Sequence, residues 1–516
     1  MSDGSNNTSK PSSGFIDLAT YGNIDDALYT GEKEGSYFFT RETRKSTWFT
    51  QIPIKLNLTA ANPNFGETFE AVVSRSGDFL LNTWIRVTVP GLTVSTVSSS
   101  DSDDTKTINY TPNLMHNLVR RCRLTFNDMV ADELYSEFFD VWAAFMIPQS
   151  KRSGYNAAIG NFSENQGPMR GLSGPSTSVN SSGQSHTLYL PLPFFYSRDT
   201  TAALPMAALP YNDVKMKFSF RNWEDLVCVH SASGVCTKAS VTDTNGLTAA
   251  PALNYVQVWG NYVIVNNQER KRMGCAPRDI LIEQVQKVND ENNAGILSKN
   301  SIRDNTEIDL RLSKPIKTLY FCARNVSARN SPYRSNYSTN IGPQANSTDT
   351  SFGNAGFLSY NVSGSSDPIR QVRILYENTE RMDLEGSYFN IIQPHSHAVN
   401  TPVASVHQSK CNGVCTDDGF TFKGMKGMGD PYENPEMIGL HSDLTKGYHM
   451  YSYALDSSSI HPSGSTNYDR LTNVSMVFQP SQAAVNSNAL EYAIQILGVN
   501  HNILRVDKGA AGFPLL

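Results

Sequence analysis

One unit occurs twice in this chain, and that repetition constrains the fold more than any other feature. Its first copy is LYLPLPFFYSRDTTAALPMAALPYNDVKMKFSF, from Leu188 to Phe220. Leu188, Leu190 and Leu192 alternate at the start, and Val214, Met216, Phe218 and Phe220 alternate at the end. A period of two places every second side chain on one face of a pleated strand, so both ends predict half-buried strands. Pro191, Pro193, Pro205 and Pro210 lie between them. Proline cannot donate to a ladder and marks strand edges and turns. The second copy runs from Tyr451, Tyr453 and Leu455 through HPSGSTNYDRLTN to Val474, Met476 and Phe478. Val474 follows Val214 by 260 residues.

Other elements return in the same order. TFEAVVSRSGDFLLNTWIRVTVP, from Thr68, predicts strand, turn and strand, and TEIDLRLSKPIKTLYFCARNV repeats it 238 residues later. RLTFND followed by ADELYSEFFDVW returns as RILYEN followed by MDLEGSYFNII, which sets Asn378 against Asn127, 251 residues apart. The strand at Tyr255 recurs at Tyr492, 237 residues on. Pairs in one order, with offsets that drift at the loops, indicate a tandem duplication. Many short strands with Pro/Gly turns and no βαβ alternation predict an all-β fold. We expect two tandem eight-stranded antiparallel jelly rolls, a double jelly roll with short helices and long loops. The expected divisions are an N-terminal arm over 1–35, a first jelly roll over 36–274 and a second over 275–516. Paired immunoglobulin-like sandwiches are the alternative, but they lack the helix and the long paired loops.

Within this frame, residues 1–14 are polar and aperiodic and predict disorder. Phe15 to Leu28 predicts a short amphipathic helix or a docked arm, and the first strand begins near Ser46. Asn127 is expected to open a helix capped by Asp128, because Val130, Leu134, Phe138, Val141, Trp142 and Phe145 fall at helical spacing. Residues 148–186 read as a Gly/Ser/Asn-rich loop. The long polar loops at 91–109, 154–186, 327–367 and 393–446 are expected to project together from one end. Trp48, Trp84 and Trp142 are expected in the core.

Charge and cysteine usage exclude several classes. The formal net charge is −5, with no clustered Lys/Arg footprint, so no nucleic-acid partner is expected. No run approaches 18 apolar residues and the N-terminus has no apolar h-region, so neither a membrane span nor a signal peptide is expected. Seven cysteines, an odd number thinly spread over 516 residues, favour free thiols in a reducing compartment.

LPLPFFYSRDTTAALPMAALPYNDV, RSGDFLLNTWIRV, FIDLATYGNID, HPSGSTNYDRLTN and the ending NHNILRV…GAAGFPLL resemble the major capsid proteins of nucleocytoplasmic large DNA viruses. Iridoviruses and ascoviruses look most similar, and marseilleviruses share the resemblance. It runs from about Gly14 to Leu516 and weakens in the long loops. The resemblance implies a homotrimeric, pseudo-hexagonal capsomer that tiles an icosahedral shell. The implied partners are further copies of the chain, neighbouring capsomers, minor capsid and penton proteins, and an inner membrane that lies near without being entered. It also implies a place in the virion capsid and assembly in the host cytoplasm. From the residues alone, a jelly-roll glycan-binding or attachment protein is the alternative, with a cupin-type enzyme behind it.

Chemistry is sparse. GxSxG, HExxH and P-loop motifs are absent, so no enzyme, catalytic residue or cofactor is expected. GMKGMG, from Gly424 to Gly429, follows no clear strand and is better read as a loop tip than as a phosphate cradle. His461, Ser463 and Asp469 are better read as a tight crossover than as a triad. Arg270, Lys271 and Arg272 read as a solvated or interdomain charge cluster. No metal site is assigned. The weak candidates are His395, His397, His407, Cys411 and Cys415, because His and Cys are zinc ligands but this spacing fits no standard finger.

Overall fold

The computed structural model describes residues 11–20, 22–29, 39, 43, 45–92, 107–111, 113–160, 185–230, 236–238, 241, 247, 249–288, 296–297, 306–326, 334–339, 344–345, 358–359, 367–401, 447–482, 484 and 491–514. Residues up to Trp48 form one contact group and Phe49–Leu516 another. The first holds two short helices, α1 (Pro11–Ala19) and α2 (Asn23–Tyr29). The disorder expected through residue 14 therefore gives way to helix from Pro11. Proline suits a first helical position, where no N–H is needed. Phe15, Ile16 and Leu18 of α1 are exposed.

In the second group, eight strands of the first half are numbered in chain order. They are β1 (Phe49–Lys55), β2 (Thr68–Val72), β3 (Phe79–Val89), β4 (Val119–Phe126), β5 (Met129–Tyr135), β6 (His186–Leu192), β7 (Val214–Phe220) and β8 (Tyr255–Val265). They form an antiparallel sheet of order β1-β8-β3-β6 and another containing β2-β7-β4-β5, whose outer edge carries the short strand Asn57–Leu58. The second half supplies β9 (Arg278–Lys287), β10 (Thr306–Asp309), β11 (Pro315–Asn325), β12 (Ile369–Tyr376), β13 (Thr379–Glu385), β14 (Tyr448–Ser452), β15 (Val474–Pro480) and β16 (Tyr492–Asp507). Their orders are β9-β16-β11-β14 and β10-β15-β12-β13, so each strand occupies the place of the strand eight before it. No described sheet pairs strands from both halves.

The Pro-rich crossover joins β6 in one sheet to β7 in the other, and the connection from β14 to β15 makes the same switch. The SRSGD turn also changes sheets. Buried Asp78 fixes it by accepting the Val265 N–H at 2.9 Å and the Arg270 guanidinium at 2.7 and 2.9 Å. Arg270 belongs to a helix, Asn267–Cys275, so this part of the basic run serves the first half's own turn.

The helix expected from Asn127 starts later. Asn127 and Asp128 have φ of 46° and 68° and close a two-residue hairpin between β4 and β5. Short polar side chains tolerate that left-handed conformation, and paired positive φ values match strand twist. The helix, α3, is Ser136–Met146. Glu377 and Asn378, at φ 50° and 62°, close the equivalent hairpin between β12 and β13. The turns therefore align Asn378 with Asp128, one residue from the spacing read in the sequence. A further helix, α4 (Gln149–Ile159), occupies what reads as loop, ended by Gly160 at φ 79°. Of the long loops, residues 93–106, 161–184 and 402–446 lie outside the described residues, as does the expectation that the loops cluster. Trp48 is 85% exposed, contrary to its expected core place, because it precedes β1 and lies outside the strand alternation that buries every second side chain. Trp84 and Trp142 are half-buried.

The second half's core centres on Phe321, whose ring lies 5.4 Å from Phe389, 5.7 Å from Phe478 and 5.1 Å from the His449 imidazole. Removing a fully buried Phe ring forfeits its transfer energy and leaves a cavity, a loss of about 3–5 kcal/mol. Phe321→Ala is expected to lower the unfolding free energy read from chemical denaturation by that amount, while Glu385→Ala, at an exposed sheet position, should stay within about 0.5 kcal/mol.

Candidate functional site at the seam between the halves

The sheet β9-β16-β11-β14 is buried on both faces. Along β11, Leu319, Phe321 and Ala323 enter the second half's core, while Tyr320 and Cys322 join the first half's. Along β16, Ile494 and Ile496 take the former side, while Leu497 and Val499 take the latter. The hydrophobic core of the first half thus continues across the seam onto the second half's sheet.

Helix α3 lies on this face. Phe145 stacks on Tyr320 with ring centroids 5.7 Å apart. Asn400 secures the end of α3 by donating its backbone N–H to Phe145 O at 2.9 Å and its Nδ2 to Ala144 O at 3.1 Å. Around this apolar contact runs a ring of buried charges. Glu137 at the start of α3 meets Lys287 Nζ and Arg324 Nη1, both at 3.2 Å. Burial pushes its carboxyl up, but Lys287, Arg324 and Arg221 overcome that and hold it at about 2. Glu283 on β9 accepts from Arg198 Nη1 at 2.7 Å and from Lys317 Nζ at 2.5 Å. Burial again opposes ionisation, and the two cations bring its pKa below the ordinary value.

Asp140, also on α3, gathers four partners. His116 Nδ1 lies at 2.7 Å and Asn113 Nδ2 at 3.2 Å, both from the first half, while Ser335 Oγ and Tyr337 OH donate from the second at 3.0 Å each. Asp132 on β5 accepts the Val285 N–H at 3.2 Å, yet its buried Oδ2 has no partner among the described residues. Burial raises it to about 6, against the pull of Arg198 and of the Val285, Glu133 and Phe195 N–H groups.

This arrangement locks two bodies together and presents no reactive group to solvent. Glu137 and Glu283 are held by cations and Asp140 by His116, Asn113 and two hydroxyls, and the buried thiol of Cys322 is pushed up by burial and by Glu137 and Asp140. The residues singled out in the sequence lie elsewhere. His395 and His397 sit on a short helix, Gln393–His397, where His397 Nδ1 meets Leu455 O at 2.9 Å. His407, Cys411 and Cys415, like GMKGMG, lie outside the described residues. His461, Ser463 and Asp469 form no triad, since Ser463 Oγ takes the Asp456 N–H and Asp469 takes the Lys314 N–H. The seam residues escaped the sequence reading because isolated Glu, Lys and Arg in strands look like solvent-facing positions. The one available signal was the pair of acidic residues, Glu137 and Asp140, in the otherwise apolar run EFFDVWAAF.

Residues 37–266 match the family described as major capsid protein N-terminus. Residues 269–408 and 440–512 match the family described as large eukaryotic DNA virus major capsid protein. The chain is 39% identical over 526 aligned residues to the major capsid protein of Costelytra zealandica iridescent virus, covering 99% of each. It is 32% identical to that of Rana tigrina ranavirus, covering 98% of each. Its fold resembles PBCV-1 VP54 with a TM-score of 0.63 at 19% identity, covering 93% of this chain and all of the other. The Faustovirus major capsid protein aligns with a TM-score of 0.57 at 13% identity, covering 94% of each chain.

Glu137→Gln leaves Lys287 and Arg324 buried without their anion and is expected to cost about 3–5 kcal/mol, read as a lower unfolding midpoint. The pH dependence has two opposed windows. Glu137 has a depressed pKa, so its contribution is present above its ordinary 4.5 and is lost as pH falls toward about 2. Asp132 has a raised pKa, so its contribution is present below 3.8 and is lost as pH rises through about 6. Asp132→Asn should flatten the stability profile across that upper window in a pH series of thermal melts, and an unchanged slope would refute the assignment.

Proposed function

The chain belongs to the major capsid protein family of large eukaryotic DNA viruses, and on that premise we propose that three copies close into one pseudo-hexagonal capsomer. It is a structural shell protein with a double jelly-roll fold, not an enzyme. The observation that carries the trimer is the rigid pairing of two like halves. Sixteen strands in two sets with matching sheet orders support two eight-stranded jelly rolls, over 36–274 and 275–516, preceded by an arm over 1–35. A facet needs units that tile a plane. Three chains of two similar rolls give six similar walls, and a head-to-tail contact repeated by 120° closes the ring.

The capsomer is proposed to meet its neighbours, minor capsid proteins and penton proteins in the shell, above an inner membrane that it does not enter. Assembly in the host cytoplasm is proposed from the odd count of seven cysteines and their wide spacing. No metal is proposed. About one zinc per chain in purified particles would reinstate His395, His397, His407, Cys411 and Cys415 as ligands.

Purified full-length chain is expected to be a trimer by mass measurement at low concentration. Its interfaces should bury above roughly 2,000 Å² of total area per pair, as permanent assemblies do. A folded monomer that persists at high concentration would overturn the proposal.

A further inference from the structure

The seam inside one chain also describes a surface that the chain leaves open. Strand pairing places Trp84 opposite Trp259 in the first half and Tyr320 opposite Leu497 in the second. The neighbouring strand sets Tyr189 opposite Arg86 in the first half and Tyr448 opposite Cys322 in the second. The two faces therefore correspond position by position. In the second half α3 sets Phe145 on this face, and Tyr320, Leu497 and Tyr448 are at most 2% exposed. In the first half Tyr189 is 40% exposed and Tyr255 is 67% exposed. Trp84 and Trp259 stack at 6.4 Å in a half-buried pair between them.

The complementary element is duplicated too. Aligning the equivalent hairpins sets SEFFDVW, from Ser136, against GSYFNII, from Gly386. Inward Phe139 then corresponds to Phe389, both 0% exposed, and buried Asp140 corresponds to buried Asn390. The next two positions diverge in burial. Val141 is 0% exposed and Trp142 half-buried, whereas Ile391 is 46% and Ile392 is 53% exposed. One chain thus carries one satisfied copy of the contact, one open aromatic face and one uncovered apolar helical segment.

We infer that the outer face of β1-β8-β3-β6, centred on Trp84 and Trp259, receives the Tyr388–Ile392 segment of a second copy of this chain. The occupant follows from the geometry inside the chain, where the helix that carries the equivalent segment sets Glu137 and Phe145 against the equivalent face. This surface rests on the capsomer reading above and deepens it by naming which wall meets which. The contact is heterologous, so each chain has one donor and one acceptor. Burying two indole rings and two isoleucines in a dry centre gives the aromatic anchor that permanent interfaces favour.

Two variants of the full-length chain test the inference, Trp259→Glu on the face and Ile392→Glu on the segment. Each should be a folded monomer by mass and circular dichroism, and a 1:1 mixture should give a dimer and nothing larger. In that dimer the intact segment of the first variant occupies the intact face of the second. Should either glutamate prevent folding, Tyr189→Lys and the milder Ile391→Ser read the same two sides at exposed positions. Variants that still trimerise, beside a trimeric parent, would overturn the surface and leave the capsomer reading standing. Monomeric variants whose mixture stays monomeric would also overturn the pairing. A monomeric parent chain would overturn both.

Discussion

Two buried carboxylates, Glu137 and Glu283, govern how the halves of this protein meet. Each stands between two cations from different parts of the chain, Lys287 with Arg324 and Arg198 with Lys317. Taking such ions from water costs several kcal/mol apiece, and their mutual attraction returns that only where the geometry is good. A purely apolar junction would hold the halves as firmly while tolerating small slides, because burial is non-directional. Charge-assisted hydrogen bonds at 2.5–3.2 Å do not tolerate them. The ions therefore contribute a fixed orientation more than net stability. A shell tile needs that fixed orientation, since an error in the angle between its two walls would be repeated by every copy around a ring.

The duplication made this seam possible and then had to be broken to make it useful. Both halves keep the same strand order, the same sheet-switching crossovers and the same left-handed hairpin turn. They differ in what the equivalent outer faces carry. The second half presents Gln495, Thr318 and Cys322 among its apolar residues, all fully buried. The first presents a Trp pair flanked by tyrosines. The turns keep the same support, since Asn127 Oδ1 accepts the Asp213 N–H at 2.6 Å and the equivalent Glu377 accepts the equivalent Asn473 N–H at 3.1 Å. At Glu377 that bond holds a residue type that seldom adopts positive φ. Asp128 is also tied by its carboxylate to Lys217 at 2.9 Å.

Strand alternation made much of the fold legible. Leu188, Leu190 and Leu192 and the run from Val214 to Phe220 alternate because their sheets are buried on one face only. Reading failed where the physics was two-sided or turn-driven. Along β11 both faces are buried, so polar Lys317, Thr318 and Arg324 serve the seam and erase the alternation. At Asn127 the apolar spacing fitted a helix, but the two-residue turn decided the outcome and set Val130 on a strand. Residues 149–159 were polar enough to pass for loop, and their helix depends on Pro148 before it and Gly160 after it. None of the seam was legible from spacing, because the cross-half partners of α3 and Glu283 lie 85 to 256 residues apart and meet only through the packing of one half on the other.

Asp132 shows what the seam leaves unfinished. Its Oδ1 is fully engaged by backbone N–H groups, while its Oδ2 is buried without a described partner. A carboxylate in that position is stabilised only in part, which is why burial carries it to about 6 while Glu137, with two cations in contact, stays near 2. Protonating Asp132 removes a buried charge held at one oxygen only, whereas protonating Glu137 strands two cations. Mild acid and strong acid thus act on the same seam with opposite sign. The halves are held most firmly where Asp132 is neutral and Glu137 still charged, a window bounded by the two values and set by which carboxylate found its counter-ions.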